Sequence, residues 1–479
     1  MIEGYEVVIG LEVHVQLATK SKIFSAASAA FGGDPNTHVD PLTFGLPGCL
    51  PVPNKKVIDY AIMLGLALNC NIREHNRFAR KHYFYPDLPK AYQTSQFEEP
   101  ICEGGSLSIV HEDAVRNIGI TRIHMEEDAG KNIHDSRTSS SLIDLNRAGV
   151  PLLEVVSEPD LRSPGEASSF LKTLRQIVQY LGVGDGNMEE GSLRCDANIS
   201  LRPKGQMEYG TRTETKNLNS FKFVEKAINY EIARQLKILK AGEKVVQETR
   251  LFDSVTETTR SMRGKEESAE YRYFPCPDLP PLQVSDAWVA EIKNELPTLP
   301  QEKREELINA YGLAPADADT LTGEREVTEY FETVYDTCKN AKAATSWVTS
   351  ELFGLLSKAG LNIHNTPVSA INLGMLVKRL DEGLINGKMA KDILEEMFES
   401  GKAPDEIIEA KGLKQVSDPE EVKKIVLEVL QENADQVKDY LSGNERVFGF
   451  LVGQVMKKSS GKANPKLVNV AIKELLKDF

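Results

Sequence analysis

Near the start of the chain, Ile9, Leu11, Val13, Val15 and Leu17 alternate with Gly10, Glu12, His14 and Gln16. A period of two predicts a strand with one buried apolar face. The pattern recurs. Arg122, His124 and Glu126 share one face of the stretch 119–128, and Glu154 interrupts the apolar run 151–159. In 192–202 an apolar row (Leu193, Cys195, Ala197, Ile199, Leu201) alternates with Arg194, Asp196, Asn198, Ser200 and Arg202. In 211–216, Arg212, Glu214 and Lys216 alternate with threonines. Helices are predicted after the caps Asn54 (55–70), Ser163-Pro164 (165–182) and Asn219-Ser220 (221–243). Beyond the proline-rich stretches 275–282 and 296–303, helical periodicity dominates. The expectation is an α+β fold with a largely antiparallel sheet, followed by an all-α domain and a small helical tail. The expected boundaries are 1–294, 295–410 and 411–479.

The polar face of the strands carries the chemistry. Residues i and i+2 of a strand lie about 6.6 Å apart on one face, at about 3.3 Å of rise each. Pairing of these strands would bring Glu12, His14, Glu126, Glu154, Asp196 and Glu214 to one concave surface. Two like charges about 4 Å apart repel by roughly 4 kcal/mol at an effective dielectric of about 20. Such a surface needs cations, protons or basic neighbours. Carboxylates with one imidazole suit Mg²⁺ or Mn²⁺, and the interleaved Arg122, Arg194, Arg212 and Lys216 suit phosphate oxygens. Together they point to nucleotide chemistry at a metal. The competing reading is a wet face of an antiparallel sheet, which needs no function. Glu154 argues against it, because the apolar neighbours Leu152, Leu153, Val155 and Val156 predict burial, and an unpaired buried carboxylate is costly.

Composition narrows the choices. The chain has 479 residues, is 41% hydrophobic and 27% charged, and carries a net charge of −14. That is a globular composition and speaks mildly against bulk affinity for nucleic acid. The charge is uneven, however. From residue 447 onward six lysines face Glu474 and Asp478, a local balance of +4. Six scattered cysteines without a CxxC pair disfavour a disulfide framework or a CxxC zinc site and fit a reducing cytoplasm. The longest uncharged apolar run, 60–72, is too short to span a bilayer. The sequence MIEGYEVVIG lacks the basic n-region and apolar core of a signal peptide. No P-loop, GxGxxG after a strand, GxSxG or HExxH is present, so a nucleotide would have to lie on the sheet face.

Six segments, IGLEVHVQL, HYFYPDLPKAYQTSQFEEPI, HMEEDAGK, DLNRAGVPLLEVVSEPD, MEEGSLRCDANIS and KNLNSF, resemble signature stretches of one family. It is the B subunit of the tRNA-dependent amidotransferases, GatB, and the resemblance runs from residue 5 to the end. It implies a cradle related to glutamine synthetase, then a helical domain and a tail that grips tRNA. It implies a ligase forming a carbon–nitrogen bond with glutamine as amide donor, in a cytoplasmic heterotrimer with an amidase (the A subunit) and a small third protein (the C subunit). ATP and Mg²⁺ would phosphorylate the side-chain carboxylate of Glu-tRNA(Gln), Asp-tRNA(Asn) or both, and ammonia from the amidase would displace the phosphate. On the family's pattern Glu12, His14, Glu126 or Glu127, Glu154, Asp196 and Glu214 are the metal set, and Arg194 contacts phosphate or adenylate. One departure stands out. Where many relatives carry a zinc cluster, this chain has Ser25, Ala27, Asp40 and Thr43. No zinc is expected there, and the loop 24–45 should hold itself by packing.

Two further segments have two readings each. The stretch 80–92 mixes Arg80, Lys81, His82 and Lys90 with aromatics, and suits either stacking on a terminal adenine or a proline-braced packing loop. Lys457, Lys458, Lys462 and Lys466 flank SSGKANP, either as a solvated surface or, as the resemblance implies, as a tRNA contact. Cys195 belongs to the apolar row and is expected in the core. The rival to an enzyme is a non-catalytic tRNA-binding scaffold.

Overall fold

The computed structural model describes residues 4–112, 114–134, 140–262, 271–412, 418–444, 446–459 and 463–476. Lys462 lies outside them. The chain divides into two units, 1–300 and 301–479.

Six strands of the first unit position the site: β1 (Tyr5–Gln16), β2 (Ala114–Glu127), β3 (Pro151–Ser157), β4 (Leu193–Pro203), β5 (Thr213–Leu218) and β6 (Thr249–Asp253). Within a sheet of ten strands among the described residues they lie in the order β6-β5-β4-β1-β3-β2. Neighbours run antiparallel except β5 and β6, which are parallel. The alternation read from the sequence is the physical cause of the register. Val13, Val15, Ile123, Met125, Leu153, Val155, Cys195 and Ala197 all enter one apolar core. Burying a Leu, Ile or Val side chain contributes roughly 1.5–3 kcal/mol, and a slip of one residue would turn the whole row to the other face.

Helices α1 (Lys55–Ala67), α2 (Pro164–Tyr180) and α3 (Phe221–Lys240) close that core with Ile62, Leu64, Phe170, Leu174, Val224 and Ile228. Each is capped as its sequence demands. The side chains of Asn54, Ser163 and Ser220 accept hydrogen bonds from the backbone N–H groups of Lys56, Glu166 and Phe223. α1 stops three residues before the predicted end because Asn69 takes a left-handed φ of 56° and turns the chain. The residues standing at the zinc positions of relatives are bound by more than packing. Asp40 Oδ1 accepts from both the N–H and the hydroxyl of Thr43 at 2.8 Å. Burial raises the Asp40 pKa, but hydrogen bonds from Ser25 and Thr43 outweigh it and lower the group overall. The loop expected to hold itself by packing is thus also tied by hydrogen bonds.

A small sheet pairs Ala79–His82 with both Tyr92–Ser95 and Phe274–Pro275. The second unit is helical, with two separate apolar clusters. One runs from Leu307 to Ile408 and the other from Val422 to Leu476. Among the described residues two helical stretches depart from α geometry: Trp347–Leu352 is π-helical and Ile363–Asn365 forms a 3₁₀ turn. No described helix is long and apolar enough to cross a membrane.

Candidate active site

The face of the sheet opposite the core brings the predicted residues together, in two groups rather than one. Registry explains the split. His14 lies opposite Glu154 on β3 and Arg194 on β4, and Glu154 in turn lies opposite His124 on β2. One step along β1, Glu12 lies opposite Asp196, while Asn198 lies opposite Glu214 on β5.

In the first group His14 Nε2 stands 3.3 Å from both Glu126 Oε1 and Glu154 Oε2. His124 Nε2 stands 3.2 Å from Glu154 Oε2 and 3.8 Å from Glu126 Oε2. Burial would lower the pKa of His14, but hydrogen bonds to Glu126 and Glu154 override it and raise the group to about 10. His124 rises to about 9 against the same burial, through the charge of Glu154 and its bonds to both carboxylates. The carboxylates respond in kind. Burial would raise Glu126, but its bonds to His124 and His14 bring it down to about 2, and Glu154 is held well below its usual range. Periodicity puts His124 on this face without singling it out. The signal that identifies it is its cross-strand position opposite Glu154. Its Nδ1 is buried and has no hydrogen-bond partner among the described residues, as is also true of Arg122 Nε.

The second group joins Glu12, Asp196 and Glu214. One carboxylate oxygen from each lies within 4.8 Å of the others. Lys216 Nζ sits among them, 2.5 Å from Asp196 Oδ2 and 2.8 Å from Glu214 Oε1. Asn198 donates to Glu12 Oε1 at 2.9 Å, and the Thr249 hydroxyl on β6 donates to Glu214 Oε2 at 2.7 Å. Burial raises the Glu12 pKa, and the charges of Glu154, Glu214 and Asp196 raise it further, against the Asn198 bond. Both groups fit a divalent cation by donor chemistry, one as two carboxylates with an imidazole and the other as three carboxylates.

A cavity of 290 Å³ opens beside both groups, lined among others by His14, Glu126, Asp196, Arg194, Lys81 and Tyr83. Its size is near the lower end of small-ligand sites. Lys81 Nζ lies 4.8 Å from the ring centroid of Tyr271; burial would lower its pKa, but the neighbouring Tyr273, Glu126, Tyr271 and Glu154 outweigh it and raise the group. Arg194 is clamped by the buried Asp128, which accepts from both guanidinium nitrogens at 3.2 and 2.9 Å and from Gln16 at 2.8 Å. The sequence offers Lys81 only as part of the basic-aromatic stretch 80–92, and Asp128 closes the alternating stretch 119–128 without being singled out, one residue past the end of β2.

Several expected residues stay apart. Glu127 falls on the side of β2 that carries Ile123 and Met125. There it is paired with Lys90 and accepts from the Thr94 N–H at 2.8 Å, so strand alternation excludes it from both groups. Arg212 precedes β5 and is exposed, so the expected alternation with Glu214 does not extend to it. Arg122 is on the site face, opposite Val156 in the Glu12 row. In the tail, Lys457 and Lys466 are exposed, while Lys458 is paired with Glu428 and Glu432 at 2.9 and 2.6 Å. Cys195, 2% exposed, packs in the core and faces away from Asp196.

Residues 7–290 match the family model described as the GatB/GatE catalytic domain, and residues 329–476 match that of the GatB domain. A protein of Thermodesulfovibrio yellowstonii, named as the B subunit of aspartyl/glutamyl-tRNA(Asn/Gln) amidotransferase, is 52% identical, over 99% of this chain and all of its own length. Proteins of the same name from Syntrophotalea carbinolica and Pseudomonas aeruginosa are 54% and 53% identical, over 99% and 98% of this chain and 99% of each relative. With both units matched and the identity spread over nearly the whole length, the chain belongs to the GatB family.

Proposed function

We infer that this chain is the B subunit of a tRNA-dependent amidotransferase. It activates the side-chain carboxylate of Glu-tRNA(Gln), Asp-tRNA(Asn) or both, and amidates it to Gln-tRNA(Gln) or Asn-tRNA(Asn). The observation that carries this reading is the pair of oxygen-rich groups two residues apart on β1, opening on one cavity that also presents Lys81 and Arg194. A carboxylate is a poor electrophile. Transfer of a phosphoryl group from ATP to its oxygen makes that oxygen a leaving group, and ammonia then bonds to the carbonyl carbon as phosphate departs.

This chain's side chains supply the charge control. Lys81 and Arg194 offer donors to phosphate oxygens, with Asp128 holding the Arg194 plane. His14, Glu126 and Glu154 would hold one Mg²⁺, and Glu12, Asp196 and Glu214 a second. A cation so held supplies Lewis-acid neutralisation of the transferring phosphate. Arg122 extends the basic lining of the same face. The ammonia comes from an amidase partner (the A subunit), and a small third protein (the C subunit) completes a cytoplasmic heterotrimer. The tail lysines Lys457, Lys458, Lys462 and Lys466 contact tRNA phosphates. A division into three bodies, expected at 1–294, 295–410 and 411–479, is supported in number by three separate apolar clusters, while Leu296 and Leu299 pack on the first of them and the first unit runs to 300.

The test is a product assay. The chain with its two partner proteins, Glu-tRNA(Gln) or Asp-tRNA(Asn), glutamine and Mg²⁺-ATP should yield ADP and the amidated tRNA, both abolished by EDTA. Binding of tRNA without ADP from either substrate would favour the scaffold instead.

A further inference from the structure

Lys216 is where the second carboxylate group departs from an ordinary metal site. Its ammonium bonds two of the three carboxylates that would receive the cation, at Asp196 Oδ2 and Glu214 Oε1. It therefore competes for two of the carboxylates that a divalent ion would use. A dication sharing those carboxylates with an ammonium would sit within a few ångströms of like charge, and the two repel. The ammonium is held by these two ion pairs yet stays within reach of solvent. Lys216 is 38% exposed in its side chain, on a flexible four-carbon stem. The wall of the neighbouring cavity is formed in part by Asp196, its own partner, together with Arg194 and Lys81.

We propose that Lys216 is a resident counter-ion that the second divalent cation must displace, and that the displaced ammonium turns to the phosphates of the nucleotide in the cavity. This rests on the metal assignment made under the proposed function. It adds an order to binding. Without a nucleotide the freed ammonium has no new partner, so the second cation binds weakly. With phosphates present, leaving Asp196 and Glu214 costs Lys216 little, and cation and nucleotide bind with positive coupling. Linkage makes the coupling reciprocal, so the cation must tighten the nucleotide by the same factor. Among the described residues the ion pairs of the first group are with His14 and His124 and none is with a lysine, so a cation there displaces no ammonium.

The experiment is a Mn²⁺ titration of the full chain, read as free Mn²⁺ by electron paramagnetic resonance, with and without ADP. In the wild type one Mn²⁺ should bind more tightly than the second, and ADP should tighten the second. Lys216→Met should tighten the second Mn²⁺ by about tenfold in the absence of ADP, after discounting for the partial exposure of the lysine. It should also erase most of the ADP-driven gain. Lys216→Arg, which keeps the charge, should behave as wild type. Asp196→Asn and Glu214→Gln should each remove the second ion. If Lys216→Met binds both ions as the wild type does while these two variants lose one, the displacement is wrong and the cation site stands. If both carboxylate variants keep two ions, no cation uses this group, and the metal assignment falls together with the role of Lys216.

Discussion

Two acidic groups start from neighbouring positions of one strand and are neutralised by different means. At His14, two carboxylates face two imidazoles whose pKa values are about 10 and about 9, so in the metal-free chain protons balance the charge. At Glu12, three carboxylates face one ammonium, which leaves two negative charges over. The difference arises in the partner strands. β3 and β2 bring His124 opposite Glu154, whereas β4 and β5 bring Asp196 and Glu214 with Lys216. Admitting a cation is therefore a proton exchange in one group and a counter-ion exchange in the other.

The largest expected effect asks whether both groups are needed. Glu154→Gln and Asp196→Asn should each lower the rate of amidated-tRNA formation by about a thousandfold, since a lost metal is worth several kcal/mol in the transition state. Binding of tRNA should persist in both. A full rate in either variant would reduce the two groups to one working site.

Proton dependence separates the groups next. A metal takes only the neutral ring nitrogen, and His14 stays protonated up to about pH 10 in the metal-free chain. Binding at the first group must expel a proton, so its Mn²⁺ affinity should climb by about 100-fold between pH 7 and 9, one decade per unit. Affinity at the second group should stay nearly flat. In chelator the sign reverses for stability. The imidazolium pairs contribute fully below the ordinary histidine value near 6.5 and are lost as pH rises through about 9 to 10. Calorimetric titration in buffers of different ionisation enthalpy counts the protons, and equal proton release at both groups would erase the distinction.

How much of this was legible in the sequence follows from what each pattern encodes. Alternation fixed which side chains share a face, so Glu12, His14, Glu126, Glu154, Asp196 and Glu214 all stand on it. The same alternation, applied without strand limits, took in Arg212, which lies before β5. The resemblance left Glu126 or Glu127 open; alternation favours Glu126, and β2 places Glu127 beside Lys90 instead. Cross-strand register was invisible. It alone divides the carboxylates into two groups, promotes His124 to a partner of Glu154 and sets Thr249 beside Glu214. Pairings between residues as distant as 66 positions, such as Asp128 with Arg194, carry no local signal at all.

Thr249 offers a finer cut within the second group. Its hydroxyl orients Glu214 from β6, so Thr249→Val, which keeps the shape and loses the donor, should weaken the second Mn²⁺ by about tenfold. The first ion should not respond. A loss at both would mean that β6 supports the sheet as a whole rather than one carboxylate.

The smallest effect expected is at Arg212. As a phosphate ligand it should contribute as Arg194 does, but the two differ in how they are held. Arg194 is clamped by two bonds to Asp128 at the cavity wall, with its side chain 30% exposed, whereas Arg212 is exposed ahead of the strand that would have aimed it. An unclamped arginine gives up side-chain entropy to reach any ligand, and its exposed charge is screened. Arg212→Ala should therefore change the KM for ATP by no more than about twofold, the range of an exposed charge pair, while Arg194→Ala raises it far more. Equal losses in the two variants would place Arg212 on the nucleotide after all, and would show that the residues before β5 close over the site when it fills.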